Sequence, residues 1–155
     1  MQNANKFLMK LYGKDEHFRF INLNEMFREI RKEIYLKVPE LKKGFKIRVN
    51  YWLNSVKVNE PPSDFYLELH VYNKLLINDK VSILFKLRTI EIAEDIQSKG
   101  IGSRIIDILY SNAVKFGYDG FSVEHTENPI LIKILNKYNF KKIDNELNYY
   151  KFFNH

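Results

Sequence analysis

A chain of 155 residues, 45% hydrophobic and 28% charged, has the size of one globular domain and can bury about 70% of its unfolded surface, which argues against both disorder and a multidomain enzyme. With no cysteine there is no disulfide frame, no thiolate nucleophile and no cysteine-ligated zinc or iron–sulfur cluster. The net charge of +6 is unevenly spread: residues 1–60 carry 13 Lys plus Arg against 7 Asp plus Glu, and residues 61–155 carry 12 of each.

The opening residues 1–12 hold only Phe7-Leu8-Met9 as an apolar run, too short for a signal peptide, and no later apolar stretch approaches the ~20 residues of a membrane span. The expectation is a cytoplasmic protein without a membrane partner. Residues 22–36 place Leu23, Met26, Phe27, Ile30 and Ile34 at spacings of three and four, which predicts an amphipathic helix ending shortly before Pro39. Eight basic residues between Arg28 and Arg48 form a patch that would attract nucleic acid, an acidic protein or an anionic cofactor, or would simply be a solvated helix face. Residues 45–51 alternate apolar with polar and predict a half-exposed strand, and Pro61-Pro62 marks a loop.

From 65 to 77 the odd positions are mostly apolar, with Glu68, His70 and Lys74 opposite; Asn78-Asp79 makes a turn, and residues 81–92 resume a second strand. The pair predicts a long antiparallel hairpin. A polar bend then runs from Ala93 to Ser103 into a helix with Ile101, Ile105, Ile108, Leu109, Ala113 and Phe116 on one side and Gly117 as its stop. Residues 120–124 form a short inner strand whose position after strand and helix implies a parallel crossover. Residues 128–138 give another helix, with Pro129 in its first turn and Ile130, Leu131, Ile134, Leu135 and Tyr138 as its apolar side. The aromatic-rich residues 147–153 give a last strand. Such an order predicts an α/β (α+β) fold, one domain over 1–155 with a central mixed, mostly antiparallel sheet flanked by helices.

The bend from Gln97 to Ser103 carries the chemistry. Two glycines at the mouth of a helix leave backbone N–H groups open to an anion such as a pyrophosphate, with Lys99, Ser103 and Arg104 near enough in sequence to add contacts. The dinucleotide fingerprint fails because Ile105 stands where its third Gly belongs, and the phosphate-loop motif fails because Lys99 precedes Gly100. What remains is Gln-x-x-Gly-x-Gly, written by Gln97, Gly100 and Gly102. It resembles the acyl-CoA-binding motif of the GNAT superfamily of N-acetyltransferases. The hairpin, the following helix, the strand at 120–124, Asn128 and Asn139-Phe140, where that family usually has Gly-Phe, extend the resemblance over residues 65–153, while residues 1–60 show no such match.

The resemblance implies transfer of an acetyl group from acetyl-CoA to a primary amine by direct attack in a ternary complex. The amine would belong to a small molecule or a peptide, and the basic segment 1–60 would lie on the acceptor side. It further implies that Ile92 and Ala93 pair with the pantetheine arm alongside Glu91, that Gln97, Ser98, Lys99, Gly100, Ile101, Gly102, Ser103 and Arg104 hold the pyrophosphate, and that Asn128 meets the pantetheine. For a general acid, the family's Tyr position falls on Leu135, and Tyr138 one turn later is the substitute, or else an aromatic packed under the sheet. For a base, strict alternation places Glu91 with Val81, Ile83, Phe85 and Leu87 on the core face; Glu68, His70 and Glu124 are alternatives. His17, His70, His125 and His155 stand singly, so no metal is expected. The competing reading is a non-catalytic or weakly catalytic module on the same fold that uses the basic segment against a protein or nucleic acid; a homodimer is compatible with either.

Overall fold

The computed structural model describes residues 22–41, 44–50, 55–97, 99–124, 128–142 and 148–153. Of the residues singled out above, His17, Tyr51, Ser98, His125, Leu147 and His155 lie outside the described set. Helix α1 (Leu23–Lys37) begins at Asn22, whose side-chain oxygen accepts from the Glu25 N–H and so satisfies one of the donors a helix start leaves open. Leu23, Met26, Phe27, Ile30 and Ile34 are all buried, as their spacing predicts.

Seven strands form one sheet in the order β1-β2-β3-β4-β5-β7-β6. Strands β1 (Ile47–Asn50) and β2 (Ser55–Val58) lead to the long hairpin β3 (Phe65–Ile77) and β4 (Lys80–Ile92). Asn78 and Asp79 both take positive φ, 51° and 61°, which gives the two-residue turn whose twist suits a hairpin. Helix α2 (Ile101–Lys115) returns the chain to β5 (Gly120–Val123), which pairs parallel to β4. After helix α3 (Pro129–Lys137), β6 (Lys141–Lys142) and β7 (Tyr149–Phe152) close the sheet, with β7 antiparallel to β5. The mixed, mostly antiparallel sheet agrees with the sequence reading. Strands β2 and β6 were not among its elements.

The three helices lie on one face of the sheet. Glu40 just beyond α1, Glu33 and Glu29 reach Arg104, Asn112 and Lys115 along α2, and Tyr138 at the end of α3 stacks on Tyr110 of α2. Beneath them Val56, Leu67, Leu69, Phe85, Phe121 and Val123 form one buried cluster with the helices' apolar sides. Tyr118 is the largest side chain fully inside it, and its hydroxyl donates to the Val71 carbonyl at 2.7 Å, the partner a buried phenol requires. Gly120 is demanded by close approach: a Cβ there would lie 2.6 Å from the Lys151 oxygen and 2.8 Å from Leu84 Cδ2.

The hairpin departs from strict alternation. Glu68 pairs with Thr89 but Leu69 pairs with Leu87, so Arg88 is an extra residue bulged out of β4. Beyond the bulge the phase reverses: Ile90 and Ile92 pair with Leu67 and Phe65 on the core face, and Glu91 pairs with Tyr66 and is exposed. The expectation of a desolvated Glu91 is therefore corrected, because one inserted residue moves every later side chain to the opposite face.

Candidate functional site

Strand β4 has thirteen residues and β5 has four. Their pairing runs from Leu84/Gly120 to Leu87/Val123, and the Glu124 N–H donates to the Leu87 carbonyl at 2.9 Å as the last bond between them. Past that point β4 continues to Ile92, whereas β5 ends at Val123 and α3 begins at Pro129. The separation opens a cleft of about 760 Å³, within the range of small-ligand sites. One wall is β4 from Leu87 to Ile92; the others are the start of α2 with Ile106, and Asn128, Ile130, Leu131 and Ile134 of α3. Among the described residues, this edge of β4 beyond Leu87 has no strand partner.

Helix α2 starts at the cleft. Its N-cap is Gly100 at φ 72°, a left-handed conformation that glycine takes without a Cβ penalty, and glycine has no side chain with which to cap. The first intrahelical bond of the turn is from the Arg104 N–H to the Gly100 carbonyl at 3.1 Å, so the preceding N–H groups of the first turn face the opening. By contrast α1 and α3 are capped by Asn22 and Asn128, the latter accepting from the N–H groups of Ile130 and Leu131. The Gln97 side chain donates to the Ile92 carbonyl at 2.8 Å and fixes the bend against the end of β4.

Of the cofactor residues expected from sequence, Ile92, Gln97, Gly100, Ile101, Gly102, Ser103 and Asn128 line this cleft, and Glu91 stands on its rim. Ala93 does not line it; its N–H is taken by the Asp64 carbonyl at 2.9 Å. Lys99 is exposed outside the lining. Arg104 is turned elsewhere. Its guanidinium forks onto the Glu40 carboxylate and donates to the carbonyls of Lys37 (2.8 Å) and Lys99 (3.0 Å), so it ties α1 to α2 and is not directed at an anion in the cleft. That pairing holds the Glu40 carboxyl down to about 2.

Tyr138 is also removed from the cleft. Its ring stacks on Tyr110 with centroids 5.1 Å apart and its hydroxyl donates to Asp107, while burial first and that bond second push the phenol up to about 12. A phenol so held is a structural tie between α3 and α2, not an acid poised at the opening. Leu135, where the sequence resemblance would place a Tyr, is fully buried. Of the apolar walls, Ile130, Leu131 and Ile134 were read as the apolar side of α3 and Ile106 was not singled out; Ile130 is in fact 70% exposed beside the cleft. An apolar stripe wider than the core requires was the only sign of this in the sequence.

On the sheet face away from the helices, a charged network sits where β4 and β5 part. The bulged Arg88 donates through Nε to Glu124 Oε2 at 2.5 Å and through Nη1 to His70 Nε2 at 3.1 Å, and it lies 3.8 Å from Glu68 Oε1. Lys86 Nζ reaches the other Glu124 oxygen at 3.2 Å. Because Arg has no acceptor, His70 Nε2 must carry the lone pair, which makes the ring neutral with its hydrogen on Nδ1. Burial, then the charges of Arg88 and Lys86, lower the His70 pKa in agreement. Burial raises the Glu124 pKa, but the bonds from Arg88 and Lys86 outweigh it and the carboxyl is held below its ordinary value. Of the alternative bases, Glu124 alone lines the cleft; Glu68 and His70 stand behind it.

Among the described residues no group of three metal-ligating side chains occurs, and no helix is long and apolar enough to cross a membrane. No family model matches the sequence, and no curated protein matches it. Solved structures do resemble the chain. A mutant AtaT toxin bound to the C-terminus of the antitoxin AtaR and acetyl-CoA is 17% identical, with a TM-score of 0.43 over 63% of this chain. The chain spans 64% of that protein's length. AtaT complexed with acetyl-methionyl-tRNA is 13% identical (TM-score 0.45; 94% of this chain, 81% of that one). Arabidopsis thaliana NAA60 in complex with a bisubstrate analogue is 13% identical (TM-score 0.48; 86% and 96%).

Proposed function

We propose that the chain binds acetyl-CoA in the β4–β5 cleft and transfers the acetyl group to a primary amine. The observation that carries the reading is the coincidence, in one cleft, of an unpaired strand edge and a helix start whose cap residue cannot cap. An extended pantetheine arm carries amide groups that can hydrogen-bond to the free edge of β4 as a strand would. A pyrophosphate would take the open N–H groups of Ile101, Gly102 and Ser103 with the helix dipole in its favour. Ile106, Leu131 and Ile134 supply an apolar wall for the arm between them.

In such a complex the amine nitrogen attacks the thioester carbonyl carbon, the C–N bond forms as the C–S bond breaks, and the CoA thiolate leaves and is protonated as the amine loses its protons. The protein's part is to hold the two reactants together and to offer a backbone N–H of β4 past Leu87 to the carbonyl oxygen. Neither Glu91 on the rim nor Tyr138, held against α2 by Tyr110 and Asp107, takes a proton-transfer role in this reading.

Thermal melts with and without acetyl-CoA test the reading, since a ligand specific for the folded state raises its stability by about 2.7 kcal/mol at a hundredfold excess over Kd. Gly102→Glu should abolish the shift. A Cβ at Gly102 meets only Ile92 Cδ1 at 3.7 Å, an ordinary contact, and an acidic residue in a first turn favours the helix itself, so the variant should fold while repelling the pyrophosphate. A Gly102→Glu protein that still shifts with acetyl-CoA would refute the placement of the pyrophosphate.

A further inference from the structure

Among the described residues, the network around Glu124 contains an ammonium with a single partner. Lys86 Nζ makes one contact with the carboxylate, at 3.2 Å, although its side chain is only 16% exposed. Arg88 is held from three sides, by Glu124, His70 and Glu68, and its position in the bulge aims it across the point where the strands part.

We propose that Glu124 is the docking point for the acceptor amine in its ammonium form, that Lys86 is a resident stand-in which the acceptor displaces, and that Arg88 is the positioning residue that keeps the carboxylate in place through the exchange. The inference rests on the cleft's binding acetyl-CoA and names the acceptor's chemistry: a cationic primary amine that enters from the sheet face away from the helices. A carboxylate has about four lone-pair directions, so an incoming ammonium can take the Lys86 contact while Arg88 keeps its own on the other oxygen. Neutral His70 cannot compete for the carboxylate, because its hydrogen-bearing nitrogen is the one turned from Arg88.

The test uses the full chain with acetyl-CoA and three probe amines, 1,4-diaminobutane, glycine amide and a lysine-containing peptide, with thiol release as the readout. Glu124→Gln should raise the KM for the amine at least tenfold and leave the acetyl-CoA thermal shift in place. Arg88→Met should raise the same KM, with partial rescue by Arg88→Lys. Lys86→Met should lower it several-fold, since the internal competitor is gone, and that gain should vanish when Lys86→Met is combined with Glu124→Gln. A purely structural ion pair predicts the reverse sign for Lys86→Met, and a KM that rises or stays fixed in that variant overturns the proposal. Wild-type protein that shifts with acetyl-CoA but acetylates none of the three amines also overturns it while leaving the cleft assignment standing; absence of any acetyl-CoA shift overturns both.

Discussion

Asn139 stands at φ 63°, two residues past the end of α3, where the sequence pattern it resembles usually has glycine. The Phe140 N–H reaches back to the Leu135 carbonyl at 3.0 Å and the Asn139 N–H to that of Asn136 at 3.0 Å, the paired bonds of a left-handed helix stop. The same pair of bonds ends α2, with Gly117 at φ 89° and Tyr118 reaching Ala113 at 3.1 Å. Asparagine tolerates this conformation better than any other residue with a side chain, so the departure keeps the geometry. Chemical denaturation should find Asn139→Gly within about 1 kcal/mol of wild type, and Asn139→Val destabilised by about 1–3 kcal/mol, because a β-branched residue is strained at that φ. The helix stop at Gly117 and the turn at Asn78-Asp79 were legible in the sequence because each is decided by a residue's own backbone preference. The orientation of Arg104, Tyr138 and Glu91 was not, since it depends on partners distant along the chain or on one bulge.

At the scale of elements, the junction of α1 and α2 rests on Arg104. The fork onto Glu40 and the bonds to two carbonyls join the end of the first helix to the start of the helix that opens the cleft. Glu40 titrates near 2 when folded, below its ordinary value, because of its bond to Arg104, so the stabilisation it contributes is complete above the unfolded carboxyl range and fades as pH falls toward 2. Glu40→Gln should therefore lower Tm relative to wild type at pH 7, and the difference should shrink below about pH 4.5 and disappear near pH 2. A Tm difference that is constant over that range would count against the pairing. Elements with a strong period were readable: α1, α2 and the hairpin. Strands β2 and β6 were not, because four residues of Ser-Val-Lys-Val and two lysines carry too little pattern, and both exist through pairing with β1, β3 and β7.

Taken as a whole, the molecule divides its charge by face. Arg28, Arg31 and Lys32 of α1 are exposed, while the network of Lys86, Arg88, Glu68 and Glu124 is balanced within itself on the opposite side of the sheet. The cleft joins segments far apart in the chain, β4, the start of α2 and α3, so its occupant should couple them. Native-state hydrogen exchange with acetyl-CoA should slow amides at 88–92, at 101–103 and in the first turn of α3 together; protection confined to one segment would contradict a ligand that bridges all three. The motif in the bend announced the helix-start end of this cleft in the sequence. Its other end lay in a pairing length that no local pattern expresses.

That pairing length has a consequence of its own. The opening exists because a strand of four residues lies beside one of thirteen, so its size is a remainder of strand lengths and is governed by residues that stop β5 from growing. Asn128 and Pro129 commit the chain to a helix soon after Val123, and Pro129 could not donate to a lengthened ladder. Sequence changes that delay that commitment would zip β5 further along β4 and erase the cavity without altering any residue of β4, much as a fastener drawn past its stop closes the garment and not the cloth. Diversity in what such a fold accommodates can thus arise at the helix start that ends the short strand, as well as along β4 itself.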